Sequence, residues 1–114
     1  MDKKLKSSFA LWGISDEWQE VIENYLVKGF EPGSFFTSVL ANDLTGAATH
    51  SHPGNRWEDI CRLCKWIHNE SPTECHGSYN AVASWSKRSN AERRTICEEA
   101  DLLMTAWDHL KEPA

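Results

Sequence analysis

At 114 residues, with 40% hydrophobic and 25% charged residues, the chain has the size and composition of one globular domain and not of a disordered segment. Its formal net charge of −5, from 17 acidic and 12 basic residues, disfavours a surface that grips nucleic acid or acidic lipid non-specifically, since neutralising phosphates needs a clustered positive face. No run approaches the ~20 apolar residues of a membrane span.

Lys3, Lys4 and Lys6 precede an apolar run too short for a signal-peptide core, and acidic residues begin at once with Asp16 and Glu17. A cytoplasmic location is expected, with the four cysteines as thiols. Residues 1–14 read as an N-terminal arm, partly disordered, in which Phe9, Leu11, Trp12 and Ile14 form either an extended segment or a fragment of helix. Residues 15–114 read as a single helical domain.

The first firm helix is predicted over residues 16–28. Ser15 or Asp16 caps it, and Trp18, Val21, Ile22, Tyr25 and Leu26 recur at i, i+3, i+4, i+7 and i+8 to make one apolar face. Gly29 terminates it and Pro32 blocks continuation. Ser34 then caps a second helix predicted over residues 35–48, with Phe36, Val39, Leu40 and Leu44 as its buried stripe. A loop over residues 49–54 carries His50 and His52. The third helix, residues 56–68, is assigned a stripe of Trp57, Ile60, Cys61, Cys64 and Ile67. Ser78 caps a short helix over 79–87 with Val82 and Trp85 inward. Ser89 and Glu92 form the S-x-x-E box that opens a last helix over 91–111, seamed by Ile96, Ala100, Leu103, Trp107 and Leu110. The expected fold class is all-α, an irregular bundle of about five helices with Gly/Pro loops.

Cys61, Cys64, His68 and Cys75 resemble a zinc ligand set by residue type, with His76 beside Cys75. Their placement mid-helix on the apolar stripe instead favours Cys61 and Cys64 as small core residues, and no cofactor is expected. Cys75 beside His76 lacks the positioned base and the accompanying loop motifs of a nucleophilic enzyme, so the chain reads as a non-enzyme. Glu17, Glu20 and Glu23 line the outer face of the first helix, and six tryptophans exceed what a core of this size uses, which leaves some for recognition. Asn42 and Asp43 fall mid-helix as local caps or cross-helix partners, with a recognition role beside Phe35 and Thr37 as the alternative.

The segment Gly29-Phe30-Glu31-Pro32-Gly33-Ser34-Phe35-Phe36-Thr37-Ser38-Val39-Leu40-Ala41-Asn42-Asp43-Leu44 resembles a group of small helical proteins of unknown function encoded in temperate phages and prophages. Trp66-Ile67-His68-Asn69-Glu70-Ser71-Pro72, followed by Gly77-Ser78-Tyr79 with Val82 and Trp85 beyond, is similar to the same group. The resemblance covers about residues 17–86, and it implies origin and not mechanism.

The expected function is that of a small acidic phage protein that binds and modulates or inhibits a host protein complex, such as a defence or nucleic-acid-processing assembly. Glu20, Glu23, Phe35, Asn42 and Asp43 are the expected contact residues. Direct nucleic-acid binding and a membrane are not expected, and a homodimer stays open. The alternative is a small zinc- or nucleic-acid-binding regulator using Cys61, Cys64, His68, Cys75 and the Lys87–Arg94 basic patch.

Overall fold

The computed structural model describes residues 3–100 and Leu102. Among the described residues it holds seven α-helices, one 3-10 turn and no strand, so the all-α class stands and the helix count rises from five.

The added helix at the front is α1, Lys3–Trp12, where an extended segment and a fragment of helix were both open. Leu5, Phe9 and Trp12 lie at i, i+4 and i+7, a helical stripe that the expectation missed by starting the apolar run at Phe9. Gly13, at φ 68, ends the helix: its N–H bonds Ala10 O, and the Ile14 N–H bonds Phe9 O at 3.0 Å, a Schellman pair. Three side-chain contacts fix α1 to α5, Trp57–Glu70. The Phe9 and Trp66 rings pack with centroids 5.3 Å apart. The Trp66 indole donates to Ser8 Oγ at 2.8 Å, and the Trp12 indole donates to Glu70 Oε2 at 2.7 Å.

The second helix, α2, covers Asp16–Lys28 as expected, with Ser15 as N-cap and Gly29 as left-handed C-cap. The helix expected over residues 35–48 is two: α3, Gly33–Leu40, and α4, Leu44–His50. Asn42 is responsible for the break. It takes φ 65, its N–H bonds Val39 O, and the Asp43 N–H bonds Ser38 O at 2.9 Å, so α3 closes on a second Schellman pair with asparagine in the left-handed position. Asp43 then caps α4 by accepting from the Gly46 N–H at 2.9 Å. Leu44, expected in the buried stripe, becomes the first residue of α4 and is 71% exposed.

The α5 face is also corrected. Leu63, Trp66 and Ile67 are buried, whereas Trp57 and Cys64 are exposed and Cys61 is half-buried. The larger apolar side chains Leu63 and Trp66 bury more surface than two thiols, and the helix turns to present them. After a 3-10 turn at Thr73–Cys75, α6, Tyr79–Lys87, is capped by Ser78 and buries Val82 and Trp85, as expected. The final described helix, α7, Asn90–Glu99, opens on the Ser89–Glu92 capping box. The expected continuation through Leu103, Trp107 and Leu110 lies outside the described residues.

Two side chains bind α6 and α7 to the end of α2. The Trp85 indole donates to Tyr25 O at 3.0 Å. Arg93, 2% exposed, donates through Nε to Val27 O at 3.2 Å and through its terminal nitrogens to Trp85 O, Arg88 O and Asn90 Oδ1. Its positive charge therefore sits where α2 and α6 both end, against carbonyls of their closing turns.

Candidate partner-binding groove

The front half of α2, the start of α3 and the chain leaving α4 border a groove of about 620 Å³, in which Glu20 and Phe35, two of the contact residues expected from sequence, meet. Trp18, Phe35 and Phe36 form its wall. Their ring centroids lie 5.7 Å apart for Trp18–Phe35 and 5.6 Å for both Trp18–Phe36 and Phe35–Phe36, the last two edge-to-face. Trp18 was assigned to the buried stripe of its helix. It is half-buried, with one side on the core and the other on the groove.

Glu17 and Glu20, one helical turn apart on α2, stand at the groove's edge, and neither has an ion-pair partner among the described residues. His50 and His52 face them with Asn55. The two imidazoles have opposite hydrogen-bonding roles. His50 Nδ1 lies 2.9 Å from Gly46 O, which only accepts, so this nitrogen carries the proton. His52 Nδ1 accepts from the Gly54 N–H at 2.9 Å, so its proton, when neutral, is on Nε2. The indole N–H groups of Trp12, Trp66 and Trp85 donate within the fold; that of Trp18 has no partner among the described residues.

The other expected contact residues lie elsewhere. Glu23 is half-buried on α2 and does not line the groove. Asp43 joins the α4 cap to α6: the Tyr79 hydroxyl donates to Asp43 Oδ2 at 2.5 Å. That bond and then the Gly46 N–H hold the Asp43 carboxyl below its ordinary value; burial opposes them, and the nearby His50 adds a lesser lowering. Asn42 lines a second cleft of about 430 Å³ with Val39, Leu40, Cys64, Ile67, His68, His76 and Gly77. Across this cleft the Gly77 N–H bonds Leu40 O at 2.7 Å.

Cys61, Cys64, His68 and Cys75 are not brought together. Cys64 and His68 line the second cleft, whereas Cys75 is fully buried beneath Tyr25, whose hydroxyl donates to Cys75 O at 2.8 Å. Burial pushes the Cys75 thiol up to about 12. Among the described residues, no three His, Cys, Asp or Glu side chains are placed to hold a metal ion. The Lys87–Arg94 patch is likewise divided: Lys87 is exposed, Arg88 half-buried, Arg93 enclosed by carbonyls, and Arg94 paired with Glu98 at 2.8 Å.

No family model, characterised protein or solved structure matches this chain. No helix among the described residues is long and apolar enough to cross a membrane.

Proposed function

We propose that this chain is a small phage-encoded protein that binds a host protein complex and modulates or inhibits it without carrying out chemistry of its own. The observation that supports this is the groove, where two unpaired carboxylates border three packed aromatic rings. Aromatic side chains supply large contact area at small entropic loss, and a charged rim sets orientation and association rate. Host complexes of the counter-defence or nucleic-acid-processing kind fit an anionic chain, since their working surfaces are basic.

The zinc- or nucleic-acid-binding alternative has weaker support. Its ligand set is dispersed, and Arg93 is engaged inside the fold.

Affinity capture from host lysate with wild type and Phe35→Ala in parallel, followed by binding measurements with the purified partner, tests the proposal. Truncating a central aromatic contact is expected to weaken binding by about tenfold or more. A partner held equally by both proteins would move the surface away from the groove, and a chain that retains no protein would overturn the reading.

A further inference from the structure

We infer that the groove recognises an arginine-bearing, extended segment of the protein partner, an inference that rests on the partner-binding reading above. The first support is charge. Among the described residues Glu17 and Glu20 have no ion-pair partner, and no lysine or arginine lines the groove.

The second support is the balance of hydrogen-bonding groups. The two carboxylates accept only. His50, with its proton on Nδ1, offers Nε2 as an acceptor when neutral, and the Asn55 amide gives one N–H to Ser51 Oγ at 3.0 Å and keeps its carbonyl oxygen as a further acceptor. Against these stand three donors, the Trp18 and His52 ring N–H groups and the second Asn55 N–H, fewer than the lone pairs of the two carboxylates alone. A ligand rich in donors and free of acceptors fits such a site, and a guanidinium has five N–H groups and no acceptor.

The third support is shape. Trp18 and Phe35 present ring surface beside the carboxylates, and a planar guanidinium stacks on an aromatic face while its edge bonds carboxylate oxygens. An ammonium is more strongly hydrated and cannot stack, so lysine fits less well. The groove volume of about 620 Å³ falls in the range that encloses a ligand of several groups, so it takes a stretch of chain around the arginine and not a lone guanidinium. Phosphate-bearing ligands are opposed by Glu17 and Glu20.

The test is a titration of the full chain, followed by NMR, with a blocked pentapeptide of one central arginine flanked by glycines. The lysine and citrulline peptides and free arginine are run as separate arms. The expected result is a saturable shift of the Trp18 indole N–H, identified with Trp18→Phe, and of the Asn55 side-chain amide. Binding should be weaker by about tenfold or more for the citrulline peptide, and similarly for the arginine peptide with the Glu17→Gln/Glu20→Gln protein. Equal binding of the arginine and citrulline peptides to wild type would overturn the inference without recourse to any variant. So would shifts centred outside the groove, or free arginine binding as tightly as the peptide. A captured partner that depends on Phe35 but is not displaced by the arginine peptide would overturn the arginine inference and leave the partner-binding reading standing. Peptide binding in the groove with no protein retained from lysate would do the reverse.

Discussion

Arg93 carries a charge at 2% exposure, and the carbonyls of Val27, Trp85 and Arg88 surround it. Arg93→Ala takes the guanidinium donor away from Val27 O and Arg88 O, while Trp85 O keeps the Arg88 N–H, and a loss of about 3 kcal/mol in urea unfolding is expected. A loss below ~1 kcal/mol would mean that water replaces the guanidinium without penalty. The sequence does hold a signal for this burial, because Arg93, Ile96, Cys97 and Ala100 share one helical face. The charge conceals it, since arginine is rarely buried without partners and the partners here are carbonyls distant in the chain. The cysteines teach the complementary point. Cys64 was expected in the core, but it is exposed, so Cys64→Ser should change stability by no more than about 0.5 kcal/mol. Cys97→Ser should cost about 1–3 kcal/mol, because Cys97 is fully buried. Thermal or urea midpoints of the two variants check the pair, and equal losses would contradict the orientation of α5.

Helix boundaries set by local chemistry were legible: Ser15 and Gly29 at the ends of α2, Ser78 before α6, and the Ser89–Glu92 box before α7 all stand where their residue types predict. The errors arose where apolar spacing allowed two readings. Val39, Leu40 and Leu44 fit one long helix, but Asn42 followed by Asp43 is a stop and then a start, and those two residues prevail. Asn42→Ala places a side chain with no affinity for φ 65 in that position and should destabilise by about 1 kcal/mol, whereas Asn42→Gly should stay within about 0.5 kcal/mol of wild type. Similar losses in both variants would show that the Asn42 side chain, and not its backbone, matters. Asp43 gives the same joint a dependence on pH. Its carboxyl is held low in the folded chain, so its stabilising effect is complete above the ordinary carboxylate value of about 3.9 and is lost as pH falls through the lower folded value. Asp43→Asn and Tyr79→Phe should therefore each show a shallower loss of urea midpoint than wild type below about pH 4. Parallel acid slopes for all three proteins would remove the Tyr79–Asp43 bond from the account.

For the whole chain, circular dichroism should be helix-dominated, with more than about half of the residues helical, well above the globular average. The groove was only partly legible. Glu20 and Phe35 were expected as contacts from an acidic face and a half-assigned aromatic, but the contribution of His50, His52 and Asn55 depends on the α3–α4 break, which turns the chain back toward α2. Glu23 shares helix and charge with Glu20 yet lies off the groove, and this separates two kinds of electrostatic effect. Glu20→Lys should slow association with the captured partner more than Glu23→Lys does, and the difference should shrink as salt rises, with little change in thermal midpoint. Equal on-rates for the two variants would mean that net charge, and not the groove, steers the encounter. The division of α2 has one more consequence. Trp85 and Arg93 hold the carbonyls of its last turns, while Trp18 and Glu20 present its opening turns to the groove. The rear is held by those bonds and the front by the Ser15 cap and by Trp18 packed on Phe36, so the aromatic wall has its shape before any ligand arrives. Less ordering entropy is then lost on docking, and the free protein resembles a lock more than a hand that closes.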